Sequence, residues 1–324
     1  MKPYVFIIQG EGMTYDSIST RDAFGNALLR IAEADPMVAA IGADTTSSMG
    51  MKPMAEKYPE RVFNCGIAEQ NMTAIAAGMA ATGFQVYAAS YAPFSTLRAA
   101  EQVRTFIAYP NLDVKIIGGL GGLSGNIEGV THQGLEDIAI MRAIPNMTVV
   151  VPADAASTEA ITAELSKKKG PAYLRLGRGP VIKVFDGSYR FMIGKANVVK
   201  PDGDDVAVIC NGAIVARVLE TAKMLETQGY GVRVIEMPCV KPLDEEAVIH
   251  AAKSVRAVVT VEEHNVIGGL GGAVAETLCS RYPAPLLRIG VDDIFTESAP
   301  HGQLLDKYGF KPDHMAEKIR RFIT

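Results

Sequence analysis

Tryptophan is absent from the 324 residues, cysteine occurs only four times, and aromatic residues make up just 7% of the chain. The missing tryptophan excludes nothing. The cysteines, Cys65, Cys210, Cys239 and Cys279, are widely spaced with no CxxC pair. Three of them sit among apolar residues, as reduced core thiols do, so neither a disulfide framework nor a zinc site is expected. No polybasic stretch interrupts the mixed charges, whose formal net is −4. Nucleic acid and anionic membranes are therefore not the expected partners. The apolar run within the N-terminal MKPYVFIIQGEGM is too short to span a bilayer, and no small-residue cleavage site follows it. A cytoplasmic protein is the expectation.

What is present is ordinary globular material, 48% hydrophobic and 21% charged, in a length that suits two domains. Short β-branched runs at 38–42, 86–90, 114–118, 148–151 and 172–176 alternate with amphipathic stretches at 23–34, 69–82 and 155–168. Gly83 is placed to end the second stretch, and Asp154 to cap the third. At 185–205 the pattern breaks into FDGSYRFMIGKANVVKPDGDD, read as a domain linker and an entry hairpin. A second set follows, with strands at 206–210, 232–236, 257–261 and 286–289 and a helix at 214–227 ended by Gly229. Strands alternating with helices predict α/β architecture: two doubly wound domains in series, each on a mostly parallel sheet.

Four segments could carry chemistry. Glu69 lies in GIAEQNM (66–72), where a strand at 62–65 gives way to a helix. A carboxylate in a first helical turn ordinarily complements the macrodipole and does nothing more. Here its neighbours are small and apolar, so a ligand ring could approach and desolvate it. Tyr91 and Phe94 stand three apart at a strand end, where aromatics are more often core, yet where open α/β sheets bind ligands. The glycine-dense GGLGGLSGNIEGVTHQGLED (118–137) fits neither a dinucleotide GxGxxG nor a Walker A loop. It reads as an irregular close-approach loop, after which His132 is expected to open a helix. A capping or core role for that ring is the plain alternative. Last, LRLGR (174–178) ends a strand in two arginines, and Arg21 and Ser48 lie in other loops. Arginine suits bidentate recognition of phosphate or sulfonate, but only convergence in space would separate these from scattered surface charges.

Taken in order, the DxxxS of 44–48, GIAEQNM, the aromatic strand end, THQ with GLEDIA, PNMTVVVPAD and YLRLGR resemble the pyrimidine-binding domain of transketolases. VRVIEMP, VTVEEHNVIGGLGGAVAE and ESAPHGQLLDKYGF resemble the C-terminal domain of the same family. The resemblance covers nearly the whole chain and implies a pyrimidine-binding domain over 1–187 and a transketolase C-terminal-like domain over 188–324. It implies thiamine diphosphate as cofactor, with Glu69 hydrogen-bonding the aminopyrimidine ring, Tyr91 and Phe94 as its aromatic platform and Thr45 at the side of that pocket. His132 would contact the ketose hydroxyl near the reacting carbon. Arg21, Ser48 and Arg178 would grip the sugar phosphate, and Glu128 stands where the family has an aspartate that reads a substrate hydroxyl.

Two departures bear on substrate. The family's histidine twelve residues before the position of His132 is Leu120 here, and the usual GEDG is NIEG. A modified substrate is expected: an unusual sugar phosphate, or a sugar bearing another anion such as a sulfonate. The GDG and following asparagine, which in the family hold Mg2+ and the diphosphate, are missing; the nearest match is the DGD of 202–204. The resemblance therefore implies an N-terminal partner subunit carrying GDG…N and the metal ligands, in an α2β2 arrangement. The resulting expectation is half of a transketolase, moving a two-carbon ketol unit from ketose to aldose. Its rivals are a decarboxylating relative (deoxyxylulose-phosphate synthase, or a 2-oxo-acid dehydrogenase β subunit) and a regulatory subunit without catalysis.

Overall fold

The computed structural model describes residues 14–324; the apolar N-terminal run lies outside them. Its strands are β1 Tyr15–Ser19, β2 Val38–Gly42, β3 Val62–Asn64, β4 Gln85–Tyr91, β5 Val114–Gly119, β6 Thr148–Val150 and β7 Ala172–Arg175. They continue as β8 Pro180–Ile182, β9 Asn197–Lys200, β10 Val206–Cys210, β11 Val232–Glu236, β12 Cys239–Lys241, β13 Ala257–Asn265 and β14 Leu286–Val291.

Strands β2, β5 and β7 are buried at every position, and β4 at all but its last. Strands buried on both faces have no side to offer water, which forces helices onto both sides and a parallel sheet between them. The first sheet accordingly runs β12-β6-β7-β5-β4-β2-β3, parallel except where β12 meets β6. The second runs β14-β13-β10-β11-β9, parallel except for β9 against β11. The two mostly parallel sheets are those expected. The helix ends are as the sequence indicated: Asp154 closes a capping box with Ser157, and Gly83 and Gly229 take φ of +105° and +88° just past their helices.

The segment 185–205 differs from expectation. It holds no entry hairpin, because β9 skips the adjacent β10 and pairs with β11. Phe185 and Tyr189 are buried in the second domain's core, and the Tyr189 hydroxyl and the Asn197 amide both donate to Glu236. Full burial pushes the Glu236 carboxyl up to about 8 despite those two bonds. The cysteines also differ. Cys210 and Cys239 are buried, but Cys65 is half-buried and Cys279 exposed, so two rather than three are core thiols.

Strand β12 was not foreseen. After β11 the chain leaves the second sheet and adds a short antiparallel strand to the first, Cys239 opposite Val150 and Lys241 opposite Val149. The Lys241 ammonium ties it down further, donating to the carbonyls of Arg142 and Ile144.

Among the described residues no helix is long and apolar enough to cross a membrane. No three His, Cys, Asp or Glu side chains gather there as a metal site would require.

Candidate active site

In the first sheet the neighbours β7, β5, β4, β2 and β3 each end in a segment that carries candidate residues. Beyond β7 comes Arg178, and beyond β5 the loop with Glu128 and His132. Tyr91 ends β4 with Phe94 just after it; Thr45 and Ser48 follow β2, and Glu69 follows β3. The carboxyl edge of an open α/β sheet is where loops diverge and leave room for a ligand.

Glu69 is the first residue of the helix Glu69–Ala81 and is only 2% exposed. Asn64 fixes the turn before it, its side-chain oxygen accepting from the backbone N–H of both Asp44 and Gly66. Gly66 adopts φ of +71° with open space where a side chain would stand. One carboxylate oxygen accepts from Arg98 Nη1 at 2.6 Å, the other from Ser90 Oγ at 3.4 Å. The Arg98 guanidinium also lies over the Phe94 ring, 4.4 Å from its centroid. Arg98 is the residue the sequence reading missed. A phenylalanine followed four residues later by arginine in a helical stretch was the available signal.

Tyr91, Phe94 and His132 form one aromatic group, with Phe94 edge-on to the imidazole at 5.1 Å and Tyr91 5.9 Å from it. His132 does not open a helix. It is the last residue of the 3-10 turn Val130–His132, and the next helix starts at Asp137. The ring is held by these aromatics and by the Thr131 hydroxyl, 2.9 Å from Nδ1, rather than by a helix terminus. Thr45 is buried, and its hydroxyl donates to the Ala89 carbonyl of β4.

The arginines converge. Ser19 caps the helix Thr20–Ala34 in a capping box with Asp22, which sets Arg21 in the first turn. The loop after β2 crosses this helix at Gly50, φ +75°, where a side chain would strike the Arg21 carbonyl. Through that close approach Arg21 donates to the Ser48 carbonyl, and with Nε and Nη2 to the Arg178 carbonyl. Burial, opposed by the neighbouring Tyr91 and Asp22, lowers the Arg21 guanidinium from its usual range. Ser48 Oγ accepts from the Tyr91 hydroxyl at 3.2 Å, linking the arginines to the aromatic group. Arg178 Nη1 lies 2.7 Å from Glu128 Oε1.

The second domain fastens the loop that bears His132. Glu263, at the end of β13, accepts from Leu123 N–H at 2.7 Å and pairs with His301 at 2.8 Å. The fully buried Arg175 donates to the carbonyls of Gly134 and Glu263 and to Asp137. Gln133 reaches the Glu297 carbonyl. Burial alone would raise the Glu263 carboxyl, but His301, Arg175 and the Leu123 amide hold it below the usual carboxylate range.

The family model for the pyrimidine-binding domain of transketolase matches residues 16–182, and that for the transketolase C-terminal domain residues 194–315. A putative transketolase C-terminal section of Methanocaldococcus jannaschii is 39% identical over 302 residues, 92% of this chain and 94% of that one. A 6-deoxy-6-sulfo-D-fructose transketolase subunit of Clostridium sp. is 39% identical over 289 residues, 89% of each chain. Among solved structures, a split-gene transketolase described as an inactive β4 tetramer superimposes with a TM-score of 0.88 at 43% identity, over 95% of this chain and 99% of that one. Site edge, sheet order and sequence agree: the chain belongs to the transketolase family, carrying its pyrimidine-binding domain followed by its C-terminal domain.

Proposed function

We propose that this chain is the C-terminal subunit of a cytoplasmic, thiamine-diphosphate-dependent transketolase that works only with a second polypeptide. The observation that carries the reading is the ordered row along the sheet edge, from buried Glu69 through the aromatic group to the paired arginines. We take the first domain as 1–187 and the second as 188–324, with β12 a strand that the second lends to the first.

The residues fit the pyrimidine end of the cofactor. Glu69 is a buried carboxylate, and Arg98 links it to the Phe94 ring, which packs with that of Tyr91. When bound, thiamine diphosphate supplies the carbon nucleophile and electron sink of ketol transfer. Glu69 would hydrogen-bond the pyrimidine ring, with Thr45 closing the side of that pocket. His132 would orient the ketose hydroxyl near the reacting carbon and move its proton. Arg21, Ser48 and Arg178 would grip the distal end of the sugar.

The diphosphate and Mg2+ belong, on this reading, to an N-terminal subunit bearing GDG…N, in an α2β2 complex. Residues 202–204, DGD, instead form the turn between β9 and β10, where Gly203 packs against the Val232 backbone. The relatives that match over nearly their whole length are a section and a subunit by name, and the β4 form of the solved relative is described as inactive. Both support the need for a partner.

The test is to mix the purified chain with a GDG…N subunit, thiamine diphosphate and Mg2+. Two-carbon transfer between a ketose and an aldose should appear only with both chains present. Release of carbon dioxide from pyruvate, without ketol transfer, would place the chain with the decarboxylating relatives instead.

A further inference from the structure

The sugar-gripping end of the site contains a carboxylate paired with one of its arginines. Glu128 turns its Oε1 onto Arg178 Nη1, 2.7 Å away, with the two side chains 33% and 35% exposed. Despite that distance, Nη1 is a buried donor with no aligned hydrogen bond. The attraction is therefore chiefly charge on charge.

Arg21, the other cation here, is anchored by three hydrogen bonds to the carbonyls of Ser48 and Arg178, which leave its charge in place. Leu120 follows Gly119, where a side chain would strike Met49 and come within 3.6 Å of Arg21 Cδ; Leu120 is 1% exposed and brings no donor. Two arginines and one glutamate leave a net single positive charge. A phosphomonoester carries about two negative charges at neutral pH, with a second ionisation near pH 6. A sulfonate carries one and presents the same three tetrahedral oxygens.

We propose that Glu128 is a charge selector: by pairing with Arg178 it tunes the distal subsite to a ketose whose far end bears a single negative charge, and disfavours the dianionic phosphate ester. This rests on the transketolase reading above and names the substrate class for that site. Glu128 acts through Arg178 and is a positioning residue. A dianion would have to displace the carboxylate or sit beside it with one of its charges unmatched, and both cost binding; a monoanion is matched by the net single positive charge with the pair intact.

The experiment compares two ketoses alike but for a terminal phosphate or sulfonate, using the reconstituted two-chain complex, as wild type and as Glu128→Gln. The wild type should favour the sulfonate in kcat/KM, and Glu128→Gln should move the sulfonate-to-phosphate ratio toward phosphate by about tenfold, as loss of one unit of like charge at close range requires. Glu128→Asp, too short to reach Arg178 as fully, should fall between. A wild type that prefers phosphate, or a ratio unmoved by Glu128→Gln while both constants change together, overturns the proposal. Calorimetric binding of the same two sugars to the complex reads this ratio without turnover. Failure of ketol transfer with intact charge selection would therefore count against the functional reading alone.

Discussion

Two acid–base pairs of nearly equal length occupy opposite ends of the site, and their settings make them different devices. Glu69 and Arg98 meet at 2.6 Å with the carboxylate 2% exposed. Glu128 and Arg178 meet at 2.7 Å with both partners about a third exposed. The first carboxylate is fixed by a helix start, an arginine stacked on Phe94 and a serine hydroxyl. Moving it would leave a buried charge unpaired. The second pair is partly open to water and contributes little to stability. One end is built for position, the other for choice.

Breaking the buried end should have the largest effect. Glu69→Ala should lower kcat by about 10³-fold, within the usual range for a lost acid–base group, while the complex still assembles by size-exclusion chromatography. Turnover close to wild type would mean that the two ends are not different in kind. At the open end, Arg178→Ala should raise KM for an anionic ketose about tenfold with kcat little changed, the pattern of a group that binds ground and transition states alike. A fall in kcat instead of a rise in KM would move Arg178 to the reacting end.

The smallest effect lies behind both, in the Glu263–His301 pair that fastens the His132 loop. His301 is raised above its ordinary 6.5, Glu263 overcoming the burial that opposes its charge, and Glu263 is lowered beneath its ordinary 4.5. A raised pKa stabilises fully below the unfolded value and fades as pH climbs through the folded one; a lowered carboxyl fades as pH falls through its own. The pair should therefore be strongest from about pH 4.5 to 6.5 and weaken on either side. Urea titrations across pH should show that His301→Gln removes about 1 kcal/mol in that window and flattens the alkaline limb. A limb that persists in the variant would assign it to another group.

The layer architecture was legible because buried parallel strands have to be continuous apolar runs, and 38–42 or 206–210 admit no other reading. Capping was legible for the same local reason: Asp154 and Gly83 act on backbone groups within four residues. Convergence was not legible. Arg21 and Arg178 are 157 positions apart, and what joins them is a backbone carbonyl, a group every residue has. His132 was misplaced because a glycine-dense loop hides where regular structure resumes; Asn126, at φ +65°, breaks the run before the helix at Asp137. Arg98 was overlooked because its partner lies on another element. Strand β12 was missed because three residues carry no period.

That short strand also sets where the polypeptide can be divided. The first sheet borrows its outer strand from sequence more than fifty positions beyond the nominal junction at 187. A gene cut at that junction would yield a first domain with β6 bare along one side, an open template for pairing with other copies. Any fragment meant to stand alone has to keep residues 239–241, so the two domains are separable on paper but not as products of expression.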